Sequence, residues 1–332
     1  MSCLAGPLKS AFRLSGPRPS AFPFSRLIVA VTAAQLILAV GPLIRWHLTG
    51  NWDWMAWYFG YPSPLFFVGM NGVTWVLSLA AWKQFLPGQS LRAAWFLISI
   101  ASGLRLLGSV LTHLLSSPLL LVRLTRHGSV WGDPAAQSLW HETGWAIEGP
   151  LSMVMLAGGL FILVRLYKRL GLVSKLTRLD HALLGVVGGY SLYVAWTVTH
   201  IQFQSHPAIT VDSVLHWSGD PLLCVLLFES IFIHRALAGM GWGLITRCWA
   251  AFVIGIFLTS LGSMGQWAVN FGYVPFPRSA VTWYIWYPIS AAFALGPAYQ
   301  LEAIYRAKGR LQEPEKAKHQ PPAVSDVTSK SA

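Results

Sequence analysis

Charged residues are scarce in this sequence, and acidic residues are the scarcest. Only 11% of the 332 residues are charged, with 12 Asp and Glu against 24 Lys and Arg. Soluble domains carry about 25% charged residues. This chain is also 54% hydrophobic, with a mean hydropathy of +0.52. The composition excludes an ordinary soluble protein and predicts an integral membrane protein whose main partner is the lipid bilayer.

Cysteine is almost absent, and so are the common metal motifs. Cys3, Cys224 and Cys248 form no disulfide framework, because the last two are predicted near opposite membrane surfaces, beyond disulfide reach. The sequence has no H-E-x-x-H, no C-x-x-C-H and no histidine box. No polar stretch is long enough for a kinase, nuclease or other soluble module. These absences leave an all-α, polytopic membrane helix bundle.

Long apolar runs are what the sequence does contain. Crossing the hydrocarbon core as a helix takes roughly 17–25 residues, and eight runs meet that length. They are predicted near Leu27–Ile44, Leu65–Trp82, Ala93–Leu115, Ala146–Tyr167, Ala182–Ile201, Pro221–Leu237, Leu244–Val269 and Trp283–Ala303. Runs six and seven are separated by a short Gly-rich turn. If they formed one helix, the number of spans would fall to seven.

Basic residues orient the predicted bundle. The net charge of +12 comes mainly from Lys and Arg before span one, in the even-to-odd loops and after span eight. Basic loops stay cytoplasmic, so both termini are predicted inside and no nucleic-acid partner is expected. Residues 1–25 and 306–332 are predicted to be disordered tails around a bundle at 26–305. A bacterial cytoplasmic membrane is the predicted location.

Histidines collect near the predicted outer surface, above all in the stretch from His113 to Glu148. His113 and His200 end spans three and five, which run in the same direction, so both lie at one depth. His141 and His216 precede spans four and six at the same surface. Imidazole binds transition metals and haem, so these four histidines are the predicted cofactor site. The alternative is that titratable residues simply accumulate where helices meet water.

Charged residues also occur deep within the predicted spans. Arg105 and Glu229 each lie roughly 15 Å from the outer surface at 1.5 Å per residue, near the centre of the hydrocarbon core. Charges at this depth normally pair inside a bundle, which predicts an Arg105–Glu229 ion pair. Glu148 is shallower and is an alternative partner, and Pro150 beside it is predicted in the first turn of its helix. The pair is either a static lock or part of a proton or ion relay.

Three functions are compatible with these features. The first is a redox or cofactor protein that binds haem, a metal or a quinone in an outer pocket. The second is a proton- or ion-coupled transporter in which Arg105, Glu148 and Glu229 carry the chemistry. The third is a non-catalytic subunit that assembles with other membrane subunits. The tryptophans at 52–57 are predicted to form an interfacial belt, with an aromatic platform over a cofactor as the alternative.

Overall fold

Helices form all the regular secondary structure in the described residues. The computed structural model of the chain describes residues 23–115, 139–172, 175–205, 211–238, 243–270 and 278–319. Its α-helices, in chain order, are α1 Phe24–Thr49, α2 Asp53–Gly60, α3 Pro62–Lys83, α4 Ser90–Ser109, α5 Leu139–Ala146, α6 Ser152–Arg169, α7 Arg178–Ser205, α8 Val211–Ala238, α9 Leu244–Asn270 and α10 Trp286–His319. Two π-helical segments, Val110–Leu115 and Ile147–Leu151, and a 3-10 helix, Arg278–Ile285, complete the set. The predicted all-α class is confirmed in this part of the chain.

The helices coincide with the predicted apolar runs. Five stretches are long and apolar enough to cross a membrane: Phe24–Thr49, Asp53–Lys83, Ser90–Leu114, Thr143–Arg169 and Leu244–Gly265. Helix α8 ends at Ala238, α9 begins at Leu244, and the two pack against each other. The sixth and seventh runs are therefore separate helices. The number of crossings and the cytoplasmic position of both termini remain predictions.

Six of the helices close into a ring. Each packs against the next in the order α3, α4, α6, α8, α9, α10, and α10 returns to α3. Helix α1 lies outside this ring against α10, and α7 lies outside it against α8. The side chains that meet inside the ring are therefore separated from the surroundings by a full layer of helices.

Helix α1 has the burial pattern expected of a peripheral helix. Its buried residues are Ser25, Ile28, Thr32, Gln35, Ala39 and Pro42. These positions recur every three or four residues and so form one stripe along the helix. The rest of its surface is apolar and exposed, with Ile37 at 74% exposure. One face of α1 therefore packs on the bundle and the other is suited to lipid.

Four aromatic side chains contact one another inside the ring towards the start of α4. Trp95 on α4 and Trp249 on α9 have ring centroids 6.2 Å apart. Phe252 stacks on Trp249 at 5.2 Å and meets Phe293 of α10 edge-on at 6.1 Å. Both tryptophans are almost fully buried. Trp95, Trp249, Phe252 and Phe293 thus form a continuous row of aromatic contacts across the ring, which we call the aromatic plug.

The N-terminal cap of helix α7 is bonded to the C-terminal end of helix α8. The backbone N–H of Thr177 donates to Asp180 Oδ2 at 2.7 Å, and the N–H of Asp180 donates to Thr177 Oγ1 at 3.3 Å. This reciprocal arrangement is a capping box with an aspartate as its acid. Arg235 at the end of α8 forms an ion pair with Asp180 at 2.9 Å. The bonds join two predicted spans at the end of the bundle assigned to the cytoplasm.

Candidate functional site

Two antiparallel stretches of backbone meet at Gly108 and Gly144. A methyl group on Gly108 would lie 2.5 Å from the carbonyl oxygen of Gly144 and 2.5 Å from Cβ of Glu148. A methyl group on Gly144 would lie 2.8 Å from the carbonyl oxygen of Gly108 and would clash with Thr112. Backbones approach this closely only where both residues are glycine. The crossing therefore fixes the register between the end of α4 and the helix that returns.

This register arranges polar side chains at two levels. Because the stretches run in opposite directions, positions before Gly108 face positions after Gly144. Arg105 therefore lies opposite Glu148, and His113 lies opposite His141. Together with Asn71 on α3, these four residues form what we call the polar cluster. Asn71, Arg105 and Glu148 make up its deep level, and the two histidines make up its shallow level.

Two residues of the polar cluster lie in the π-helical segments. His113 is in Val110–Leu115 and Glu148 is in Ile147–Leu151. A π turn holds one residue more than an α turn at the same point, which redirects the side chains around it, and such turns occur often at functional sites. Both segments border the Gly108–Gly144 crossing. The irregular backbone therefore coincides with the part of the bundle that carries the titratable groups.

Proline explains the second π segment. Pro150 was predicted in the first turn of its helix, but that prediction is wrong, because the helix already begins at Leu139. Inside a helix, proline lacks the N–H that would bond to the carbonyl four residues earlier. The Ser152 hydroxyl donates to the carbonyl oxygens of Glu148 and Gly149. The Ser152 side chain thus provides a hydrogen bond to backbone carbonyl oxygens at the point where the π segment widens the helix.

The Glu148 carboxylate organises the deep level. Asn71, a buried residue on α3, donates from Nδ2 to Glu148 Oε1 at 3.4 Å. Arg105 interacts electrostatically with the same carboxylate. The two side chains form no direct ion pair, because no Arg105 nitrogen lies within 4.0 Å of a Glu148 carboxylate oxygen. The guanidinium carbon of Arg105 lies over the Phe293 ring, 4.1 Å from its centroid. Three helices and a π segment therefore meet at one charged pair.

The predicted ion pair between Arg105 and Glu229 is not formed. Glu229 is inside the bundle with 6% of its surface exposed. Its Oε2 atom is buried and has no hydrogen-bond partner among the described residues. Sequence depth placed both charges near the middle of the bundle, but the glycine crossing aligns Arg105 with Glu148 instead. The alternative partner proposed from the sequence is therefore the one with which Arg105 interacts.

The shallow level contains two of the four predicted cofactor histidines. His113 and His141 interact electrostatically, and both are half-buried. The His113 ring stacks on Phe67 with a centroid distance of 5.1 Å and an interplanar angle of 25°. Phe67 stacks in turn on Tyr287 at 5.0 Å. His113 therefore connects the polar cluster, through His141, with an aromatic group, through Phe67.

The other predicted histidines lie outside what the structure describes in atomic detail. His200 and His216 belong to α7 and α8 by their backbones, and their side chains are not described. The loop between Leu115 and Leu139 also lies outside the described residues. Within the described residues, no three His, Cys, Asp or Glu side chains are close enough to hold a metal ion. Cofactor binding by the four histidines thus stays a prediction.

Two of the three tryptophans of the first predicted outer loop belong to the short helix α2, and Trp52 directly precedes it. Trp54 and Trp57 are 48% and 45% exposed, which is compatible with an interfacial belt. Tyr58 of the same helix is fully buried and accepts a hydrogen bond from Gln35 Nε2 at 2.9 Å. The helix therefore turns its tryptophans outward and its tyrosine into the bundle.

Sequence reasoning missed the apolar and glycine residues that build the site. Gly108 and Gly144 set the register, while Phe67 and Phe293 hold His113 and Arg105. Two glycines on neighbouring helices are a recognisable signal for close helix packing. The pairing of these two could not be read from the sequence, because many other glycines occur in the apolar runs.

Comparisons of the chain with protein-family models, with curated proteins and with solved structures give no match. Its function must therefore be inferred from the residues of the polar cluster.

Proposed function

We propose that this protein is a proton-coupled transporter of a bacterial cytoplasmic membrane, in which Glu148 carries the proton. The observation that supports this most strongly is the placement of a carboxylate inside a helical bundle beside a guanidinium with which it makes no direct ion pair. Charged residues at such depth are costly and are typical of proton and ion pathways.

The two levels of the cluster support a path for the proton. His113 lies eight positions beyond Arg105, and His141 lies seven positions before Glu148. At 1.5 Å per residue, the shallow level is about 10–12 Å closer to the predicted outer surface. An imidazole can accept a proton on one ring nitrogen and donate one from the other. The histidines are thus suited to pass protons between outside water and Glu148.

The aromatic plug supports a closed inner side. The Phe293 ring stacks on the Arg105 guanidinium and contacts Phe252, and Trp249 and Trp95 extend this row of rings towards the start of α4. Ions and water do not cross a packed aromatic layer without rearrangement. We propose that this conformation is open towards the outer face and closed towards the cytoplasm, as alternating access requires.

Proton movement into liposomes tests the proposal. Purified protein is reconstituted with a trapped pH-sensitive dye in a medium that contains both chloride and lactate. An acid jump is then applied outside, with valinomycin and potassium used to clamp the membrane potential. We expect wild type to acidify the interior faster than empty liposomes, and Glu148→Gln to abolish the difference. The matched control is Glu302→Gln, which changes a glutamate outside the cluster that accepts a hydrogen bond from the Ser25 N–H.

Two results would contradict the transporter proposal. One is a wild-type rate equal to that of empty liposomes. The other is an undiminished rate in Glu148→Gln liposomes when size-exclusion profiles show that both proteins are folded.

A cofactor-binding function is the second candidate, and the proximity of His113 and His141 favours it. A haem or quinone pocket needs side chains held at one depth, and these two interact at the shallow level. An absorption spectrum and a metal analysis of the purified protein distinguish the candidates. If a cofactor is bound, its spectrum should change in His113→Ala and stay the same in His181→Ala, which alters an exposed histidine at the other end of the bundle.

A further inference from the structure

We infer that the cargo of this transporter is a small monocarboxylate, which Arg105 binds and which crosses together with the proton on Glu148. The inference rests on the proposed function and names its substrate class. Two observations support it. Arg105 has N–H donors without an acceptor, and the deep level contains one positive and one negative charge.

Arg105 points into the bundle. Leu107, two positions later on α4, is 48% exposed. Two residues of an α-helix are about 200° apart, so Arg105 projects from the opposite face, where it meets Phe293. The guanidinium is thus directed towards the interior of the ring, on the side of α10.

The N–H donors of Arg105 are unused. Its Nε atom is buried without a hydrogen-bond partner, and no described residue accepts a hydrogen bond from the side chain. The contact with the Phe293 ring uses the charge of the guanidinium but none of its donors. The one interacting carboxylate, Glu148, already accepts a hydrogen bond from Asn71. The guanidinium can therefore bind a further acceptor without breaking a bond in this structure.

A carboxylate is the ligand that matches these donors best. Guanidinium presents N–H groups in a planar fork, and a carboxylate accepts two of them in parallel. A halide is a single point and cannot make this paired contact. The aromatic ring beneath Arg105 also favours an organic anion with an apolar body over a strongly hydrated inorganic ion.

Charge balance couples the anion to a proton. In the described residues Arg105 supplies one positive charge at the deep level and Glu148 one negative charge. A bound carboxylate adds a second negative charge, which protonation of Glu148 offsets. The groups that face Glu148 are Arg105 from α4 and Asn71 from α3, with His113 and His141 at the next level. Helix α8 also packs against its π segment, but no charged group described on α8 interacts electrostatically with Glu148.

This balance predicts an electroneutral cycle. The deep level is neutral when empty of cargo, and it remains neutral when it holds one anion and one proton. Moving an uncompensated charge through a bilayer is costly, so anion and proton should cross in equal numbers. The transport rate should then be insensitive to the membrane potential.

The test uses the same liposomes with one anion at a time. Lactate, chloride and the bulky carboxylate gluconate are supplied at equal sodium concentration, and internal acidification is followed. We expect proton uptake in lactate only, at a rate unchanged by a potential imposed with valinomycin. Arg105→Gln should lower the lactate-dependent rate about tenfold or more, the loss expected when a charged hydrogen-bond partner is removed. Arg92→Gln is the matched control, since Arg92 lies on the same helix outside the cluster.

A second variant keeps the test valid if Arg105→Gln does not fold. Arg105→Lys retains the charge but loses the planar fork, so it should transport lactate more slowly than wild type and should not gain chloride transport. Equal proton uptake in all three salts would overturn the carboxylate assignment while leaving the transporter proposal intact. Uptake in chloride at the lactate rate would likewise overturn it. Absence of proton uptake in every salt would instead contradict the proposed function itself.

Discussion

Gly108 and Gly144 approach so closely that a single methyl group on Gly108 would lie 2.5 Å from the Gly144 carbonyl oxygen. Such a methyl group would also lie 2.6 Å from the backbone nitrogen of Glu148. All the atoms it would meet belong to the backbone or to Cβ, so none of them can rotate away. The position of Glu148 therefore depends on the absence of a side chain at residue 108.

Gly108→Ala should separate the two stretches of backbone and displace Glu148. Overpacking typically costs 1–3 kcal/mol, so we expect a lower melting temperature in detergent, followed by intrinsic tryptophan fluorescence. The control is Gly69→Ala in α3, where a methyl group would meet nothing within 4 Å. Alanine favours helix over glycine by about 1 kcal/mol, so this control should be neutral or stabilising. If Gly108→Ala were as stable as Gly69→Ala, the close crossing would be wrong.

The interaction of Arg105 with Glu148 rather than Glu229 can be measured by double-mutant cycles. Contacting charges typically show coupling energies of 0.5–3 kcal/mol, whereas distant sites add within about 0.5 kcal/mol. We expect Arg105→Gln and Glu148→Gln to be coupled in stability, and Arg105→Gln and Glu229→Gln to be additive. Coupling between Arg105→Gln and Glu229→Gln, with additivity between Arg105→Gln and Glu148→Gln, would instead support the ion pair that the sequence alone predicted.

Asp180 should make stability depend on acid pH. Burial raises the pKa of Asp180, but the hydrogen bonds from Thr177 and the charge of Arg235 lower it by more, so the pKa lies below its ordinary value. A depressed pKa stabilises the fold at pH values above the unfolded pKa, which is about 3.9 for aspartate. This stabilisation is lost as pH falls through the folded pKa.

The measurement is the melting temperature of wild type and Asp180→Asn between pH 3 and pH 7. At neutral pH the variant should be less stable by about 1 kcal/mol, which is the scale of a lost helix cap or partly exposed ion pair. The difference should begin to shrink below about pH 4, where Asp180 becomes protonated in the unfolded chain, and should vanish below the depressed pKa of the folded state. A difference that does not change with pH would show that the charge of Asp180 does not stabilise the bundle.

The fold was largely predictable because its signals are local. Each apolar run is long enough to form a helix by itself, and the Gly-rich turn between runs six and seven is enough to end one helix and begin another. The position of Arg105 deep within its helix also follows from counting residues, whereas Glu148 was predicted to be shallower than Arg105 and lies opposite it instead. These inferences need no knowledge of which helices are neighbours.

The partners within the site were not predictable in the same way. Arg105 and Glu229 lie at similar predicted depths, but depth does not determine which helices touch. The ring order places α4 against α6 and its preceding π segment, and the contact of Gly108 with Gly144 selects Glu148. The π segments themselves escaped prediction, because His113 and Glu148 occur in stretches whose apolar pattern also fits a plain α-helix.

Proton transport through the polar cluster requires that Glu148 gain and lose a proton inside the bundle. Infrared difference spectroscopy detects this directly, because a protonated carboxyl group has a carbonyl stretch that a carboxylate lacks. Spectra recorded between neutral and acidic pH should show such a band in wild type and in Glu229→Gln. Glu148→Gln should lose one component of this band, and in Asn71→Leu that component should shift, since Asn71 donates to this carboxylate. A band that persists unchanged in Glu148→Gln would contradict the account.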